Sequence, residues 1–166
     1  MKIKGKAWKF GHGITTDHIA PGRFFYLRSN LPEFAKHCFE DVRPDFISKV
    51  KPGDFVVGGE NFGFGSSREH APIMIKLCGI AAVLAKNYAR IFFRNAINSG
   101  LPALILDTDQ INDGDELEID LGTGTLQNIT TGREMTAPPL PPVMQAIIRE
   151  GGLVEHIKKH GRLKLD

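Results

Sequence analysis

Gly58-Gly59-Glu60-Asn61-Phe62-Gly63-Phe64-Gly65-Ser66-Ser67-Arg68-Glu69-His70-Ala71-Pro72 stands between an apolar run, Asp54-Phe55-Val56-Val57, and a stretch of helical spacing that reaches Leu77. Strand, glycine loop and helix in that order make the elementary unit of an α/β protein. The four glycines let backbone N–H groups approach a ligand without interference from a Cβ. The start of the helix offers more N–H groups, where negative charge is favoured, and Arg68 adds a guanidinium able to grip a carboxylate or phosphate. The stretch reads as an anion site, with a purely structural glycine turn as the competing reading. Ser66 with Glu69 three residues on matches a capping box for a helix over 67–77, and Gly79 matches its stop. Pro72 opposes a regular start at 67, so the helix either kinks or begins nearer His70.

Working outward, residues 79–85 read as a second buried strand, 88–98 as a helix closing at Gly100, and 101–106 as a third strand. That alternation favours parallel pairing with right-handed crossovers. Residues 116–121 and 125–130 read as a β-hairpin around Gly122-Thr123-Gly124. The proline-rich run 137–142 is a stiff connector into a terminal helix, placed across the sheet and interrupted by Gly151-Gly152. Upstream, 3–10 alternate as a strand, and 32–39 form a short helix with Pro32 in its first turn. Between them, Thr15-Thr16-Asp17-His18-Ile19-Ala20-Pro21-Gly22 is rich in side chains that bond local backbone and reads as a shaped turn. The expected fold is α/β, a mixed sheet with flanking helices plus a C-terminal β-hairpin and helix, in a single domain over 1–166.

Composition narrows the function. A chain of 166 residues, 42% hydrophobic, suits one domain with a real core. The net charge of +2, with basic and acidic residues interspersed, gives no footprint for nucleic acid or an anionic membrane. No apolar run approaches a membrane span and the amino end lacks a signal-peptide core, so the expected location is cytoplasmic and the ligand small. Cys38 and Cys78 are far apart, with no CxxC and no ligand spacing, which argues against a zinc site, a redox pair or a self-sufficient iron–sulfur cluster and for two buried structural thiols.

Several motifs fail at the glycine loop. A phosphate-binding Walker loop needs Gly-Lys-Ser/Thr, and Gly65-Ser66-Ser67-Arg68 has no such lysine. The spacing of Gly58, Gly63 and Gly65 departs from the dinucleotide fingerprint, and neither serine is flanked as in a nucleophile elbow. Asn61-Phe62-Gly63-Phe64 is an incomplete version of an RNA-binding strand.

The run 60–72 does resemble the signature of the aconitase-family swivel domain, as found in the separate small subunits of 3-isopropylmalate dehydratase and homoaconitase. Thr15-Thr16-Asp17-His18-Ile19, Tyr88-Ala89-Arg90-Ile91-Phe92-Phe93-Arg94-Asn95-Ala96 and Ser99-Gly100-Leu101-Pro102 carry the same resemblance in the same order. It implies an aconitase-type swivel fold and a hydro-lyase that moves a hydroxyl between neighbouring carbons through an unsaturated acid. It also implies a large subunit, in a heterodimer or heterotetramer, that carries a [4Fe–4S] cluster, with this chain inactive alone.

By the resemblance, Ser66 is the base that removes the proton next to a carboxylate, Ser67 assists through a hydrogen bond, and Arg68 binds a substrate carboxylate. An ordinary serine hydroxyl is a very poor base, so Ser66 needs donors that stabilise its oxyanion. Glu69 is expected to cap its own helix, His70 to pack, and Asp17 and His18 to lock a turn. Tyr26-Leu27-Arg28-Ser29 corresponds to the loop that reads the variable substituent, and Arg28 leans towards an acidic one. The substrate stays open among 2-hydroxy acids of the isopropylmalate, homoaconitate and dimethylmalate types. From a different class, a stand-alone carboxylate or phosphate-binding module competes, and a self-sufficient serine hydrolase comes third.

Overall fold

The computed structural model describes residues 2–66 and 68–165. Its strands are β1 Lys2–Lys9, β2 Phe55–Val57, β3 Ala82–Ala85, β4 Ala103–Ile105, β5 Glu116–Asp120, β6 Thr125–Asn128 and β7 Arg133–Thr136, and they lie in the order β4-β3-β2-β1-β5-β6-β7. Neighbours from β1 to β4 pair in parallel, and those from β1 through β5 and β6 to β7 pair antiparallel. β1 is the pivot: its residues 2–6 face β5, while Ala7, Trp8 and Lys9 face Phe55, Val56 and Val57 of β2. The sequence shows the change of role. Lys2, Lys4 and Lys6 alternate towards water on a one-sided sheet, whereas Ala7 and Trp8 are buried in succession.

Asp54 fastens this junction. Its buried carboxylate accepts from Lys6 N at 3.0 Å, Lys51 N at 2.9 Å and the Trp8 indole Nε1 at 2.9 Å. A carboxylate out of water needs such donors, and three N–H groups supply them. Around Trp8 an aromatic core forms with Phe10, Phe39 and Phe46, the Phe10 and Phe39 rings stacked at 4.2 Å.

The helices are α1 Thr16–Ile19, α2 Leu31–Ala35, α3 Phe46–Lys49, α4 His70–Leu77, α5 Arg90–Asn98, α6 Pro142–Arg149 and α7 Leu153–His160. α4 and α5 are the crossovers joining β2 to β3 and β3 to β4. α2 and α1 pack on α4, and the terminal pair α6 and α7 packs on α5. None of the described helices is long and apolar enough to cross a membrane.

Three expectations change. The helix after the glycine loop begins at His70, and Glu69 is its cap residue without a side-chain cap bond, so the Ser66–Glu69 capping box does not form. Pro72 decides this: it lacks an N–H, so it sits in the first turn, where N–H groups have no partner anyway. That shift leaves Ser66 outside the helix, and its carbonyl accepts from Arg68 N at 2.8 Å. The helix expected over 32–39 stops at Ala35 and continues as turns, with Asn30 capping Glu33 N. The C-terminal hairpin gains a third strand, β7, whose polar, mostly exposed residues carry no apolar period.

Candidate active site

The site is built at the carboxyl ends of β1, β2 and β3, where open parallel sheets place their ligands. The loop after β2 lies between the loops after β1 and β3 and bonds to both. On one side Gly13 N donates to Glu60 O at 2.9 Å, Gly63 N to Ile14 O at 2.6 Å and Thr16 N to Phe64 O at 2.9 Å. On the other, Phe62 N donates to Asn87 O at 3.1 Å and Ala89 N to Phe62 O at 3.0 Å. The glycine-rich segment is thus pinned between its neighbours through isolated bridges at Phe62 and Phe64, not left as a free loop.

Its underside is aromatic. Phe62 is buried against Tyr88 and Phe92, with ring centroids 6.0 and 5.2 Å away. Tyr88 donates its hydroxyl to Leu104 O at 2.7 Å, and burial pushes its phenol well above the ordinary range. Gly63 has φ 82°, and a Cβ there would stand 2.2 Å from Phe92 Cγ. Only glycine satisfies both the left-handed backbone and the close approach. The next turn carries Phe64, Gly65 and Ser66 out into solvent.

Ser66 is exposed, but its anchor is buried. Thr16, 3% exposed, donates its Oγ1 to Ser66 O at 3.1 Å and lies 3.3 Å from Ser66 Oγ. Thr16 is placed by α1, whose cap Thr15 accepts from His18 N at 3.0 Å while His18 Nδ1 accepts from Thr15 N at 3.0 Å. The shaped turn expected at 15–22 is therefore a capped helical turn, and His18 is spent on holding it.

Arg68 folds back over the same turn. Its NH1 donates to Ala20 O at 2.6 Å and to Asp17 Oδ1 at 3.2 Å, and Asp17 Oδ1 also accepts from Gly22 N at 2.9 Å. Its NH2 and Nε make no hydrogen bond to the described residues, which leaves two donors of the fork for a carboxylate. Gly22 keeps the space beside that edge, since a Cβ on it would lie 3.0 Å from Asp17 Oδ1 and 3.4 Å from Arg68 NH2.

Of the segment expected to read the substituent, Tyr26 to Ser29, the first two residues close a 3-10 turn, Gly22–Leu27. Arg28 follows it, exposed, with NH1 donating to Phe25 O at 3.2 Å and its guanidinium carbon 4.9 Å from the Phe25 ring centroid. The Arg68 guanidinium carbon lies 5.4 Å from the same ring. Phe25 therefore brings Arg28 and Arg68 to one place, each in cation–π range. Tyr26 and Ser29 point to solvent, and Leu27 packs on the core. His70 meets Phe25 edge-on at 6.2 Å, and its buried Nδ1 has no hydrogen-bond partner among the described residues. Ser67 lies outside the described residues.

Sequence reasoning named Ser66, Arg68 and Arg28 and missed what holds them: Thr16, the Asp17–Arg68 pair, the Ala20 carbonyl and Phe25. The stretch 15–22 carried a signal, but its partners lie about fifty residues away in the chain.

Among the described residues, Glu150, His156 and His160 form a cluster of metal-capable side chains. Its distances are those of hydrogen bonds. His156 Nδ1 lies 2.6 Å from Glu150 Oε2, whereas two ligands of one tetrahedral zinc stand about 3.3 Å apart. Lys164 N donates to His156 Nε2 at 3.0 Å, which assigns the proton of a neutral ring to Nδ1. The cluster is a proton-sharing clasp between α6 and α7. His160, with His156 and Lys159, holds Glu150 down to about 2.

Comparison with known proteins adds to this geometry. The family model described as the aconitase C-terminal domain matches residues 36–109. A protein of Archaeoglobus fulgidus named 3-isopropylmalate dehydratase small subunit 2 is 61% identical over 99% of this chain and 100% of its own length. One of Thermotoga maritima named 3-isopropylmalate dehydratase small subunit 1 is 56% identical over 96% of each chain. The crystal structure of a 3-isopropylmalate dehydratase from Methanocaldococcus jannaschii superposes with a TM-score of 0.92, at 46% identity, over 97% of this chain and 96% of that one. The fold it shares with this chain is the aconitase-type swivel domain.

Proposed function

The chain belongs to the family of 3-isopropylmalate dehydratase small subunits, and from that premise we propose that it supplies the base and one carboxylate grip of a hydro-lyase completed by a large subunit. The observation that carries this is that Ser66 and Arg68 are both anchored to the capped segment 16–20, the first through buried Thr16 and the second through Asp17 and Ala20.

Arg68 orients a substrate carboxylate through its free NH2 and Nε edge. Ser66 Oγ takes the proton from the carbon next to that carboxylate and returns it to the neighbouring carbon when water adds back with the opposite regiochemistry. Thr16 Oγ1 at 3.3 Å supports the Ser66 oxyanion by turning its O–H towards it. Ser67 assists by hydrogen bonding. Arg28, sharing Phe25 with Arg68, faces the variable substituent of the 2-hydroxy acid, with Tyr26, Leu27 and Ser29 shaping its approach.

The [4Fe–4S] cluster of such a reaction does not fit this chain's own donors. Cys38 is fully buried, its thiol pushed well up by burial and by the neighbouring Cys78 thiol, and there are only these two cysteines. We assign the cluster to the large subunit, whose docking on the exposed Phe64 to Ser66 turn would also exclude water from the base. Turnover then requires both chains, with a cytoplasmic biosynthetic role.

A second reading, an enzyme of the homoaconitase type, is favoured by one feature: a cationic Arg28 where an isopropyl group would otherwise lie. The test is co-expression with the candidate large subunit under anaerobic conditions and assay of 2-isopropylmalate, homocitrate and dimethylmalate. Turnover of 2-isopropylmalate by the mixture only, abolished by Ser66→Ala with the melting temperature unchanged, is the expected result. Preference for homocitrate would select the second reading. Full rate in Ser66→Ala would refute the base assignment. No turnover from a verified complex with an intact cluster, together with carboxylate binding by the chain alone, would point to a binding module.

A further inference from the structure

Cys38 and Cys78 converge on one backbone oxygen. The Ala35 carbonyl accepts from Cys38 N at 3.1 Å and from the Cys78 thiol at 3.7 Å. Cys38 lies in the turn that follows α2, fully buried, and Cys78 caps the carboxyl end of α4, half-buried. Both thiols are free, and the Cys78 thiol is close enough to raise the proton affinity of Cys38. A surface cavity of about 250 Å³ between α2 and α4, lined by Ala35, Lys36, Leu77 and Cys78, gives a small oxidant access to Cys78 but not to Cys38. The pair lies at the distal ends of two elements that leave the site: α2 follows the Gly22–Leu27 turn and α4 begins two residues after Arg68.

We propose that Cys38 and Cys78 are an oxidative modification site, an intramolecular dithiol that closes to a disulfide when the protein meets a peroxide. The accessible Cys78 sulfur attacks hydrogen peroxide, the O–O bond breaks, and Cys78 becomes a sulfenic acid with release of one water. Cys38 then attacks the Cys78 sulfur, the S–O bond breaks, and the hydroxyl leaves with the Cys38 proton as a second water. Each sulfur gives up one electron, and the peroxide takes both. Cys78 lines the cavity and Cys38 does not, which gives the first step to Cys78 and the second to Cys38. A partner thiol on a residue that shares the Ala35 carbonyl protects Cys78 from irreversible sulfinic acid.

The test uses the purified full chain with substoichiometric to moderate hydrogen peroxide, followed by mass spectrometry of the intact and digested protein. The expected product is a monomer lighter by about 2 Da, with the peptides containing Cys38 and Cys78 linked, and restored by dithiothreitol. Cys38→Ser should leave Cys78 as a sulfenic acid captured by dimedone, and Cys78→Ser should leave Cys38 reduced, so either variant that folds reports on the order of the two steps. In denaturing urea the intramolecular link should form at least tenfold more slowly. Oxidation of Cys78 to sulfinic acid without a link, a link between two molecules, or an undiminished rate in urea would overturn the proposal.

Discussion

Thr16→Val separates the role of the buried hydroxyl from that of the side chain's shape. Valine keeps the volume and the branch at Cβ, and removes only the oxygen that stands 3.1 Å from Ser66 O and 3.3 Å from Ser66 Oγ. The Ser66 carbonyl keeps its bond from Arg68 N at 2.8 Å, so no buried acceptor is stranded. The stability loss is then one neutral hydrogen bond, about 0.5–1.5 kcal/mol, or roughly 1–6 °C in melting temperature for a domain of this size. A different loss is expected in the reaction. If Ser66 passes through an oxyanion, the bond from Thr16 is charge-assisted and is worth about 1.5–3 kcal/mol, which converts to a fall of about 10- to 150-fold in kcat. KM should stay near its original value, because Arg68 keeps its bonds to Asp17 and Ala20. Thr16→Ser, which retains the hydroxyl, should recover most of the rate. Steady-state assay of the reconstituted complex, with melting curves on each variant, checks both numbers. A Thr16→Val enzyme within twofold of the original kcat, in a background where Ser66→Ala is dead, would refute the assignment of Thr16 to the oxyanion.

Asp54→Ala strands three N–H donors at the β1–β2 junction and should cost about 3–5 kcal/mol, read by urea unfolding, while Asp54→Asn should cost less than half as much. Gly63→Ala combines a left-handed residue with overpacking against Phe92, for about 2–5 kcal/mol, and should raise KM as the Ser66 turn moves. Glu150 sits at about 2 in the folded chain against an ordinary 4.5, so its contribution to stability is present above the unfolded value and disappears as pH falls from 4.5 through about 2. Glu150→Gln should therefore flatten the melting temperature against pH across that window and leave the rest of the curve parallel; an unchanged acid limb would refute the clasp.

The parallel half of the sheet was legible because β2 and β3 are short apolar runs bounded by glycine, and each is followed by a helical period. β7 was not, because an edge strand with Arg133, Glu134 and Thr136 exposed has nothing apolar to repeat. The capping box misread the Ser66 to Glu69 spacing, since a proline at position 72 outranks a side-chain cap in fixing where a helix can begin. The anion-site reading needed only local chemistry, glycines beside an arginine. The claim that Arg28 belongs with Arg68 needed the fold: the two are far apart in sequence, and only the folded chain places the Phe25 ring within reach of both.

The same separation explains how the substituent-reading segment can vary without damage to the chemistry. Arg68 is held by Asp17 Oδ1 and Ala20 O, both in the capped turn after β1, and Ser66 by Thr16 in that turn. Arg28 is held by a carbonyl of its own 3-10 turn, at Phe25, and by that residue's ring. Replacing Arg28 removes no bond to Ser66, Arg68, Asp17 or Thr16. On the proposed function, the substrate's carboxylate and its variable end would thus be gripped from neighbouring segments that meet at the Phe25 ring and at the bond from Gly22 N to Asp17 Oδ1. On that proposal a change of substrate would require alteration around Arg28 alone, while Ser66 and its anchor Thr16 stay where α1 and the glycine-rich segment put them.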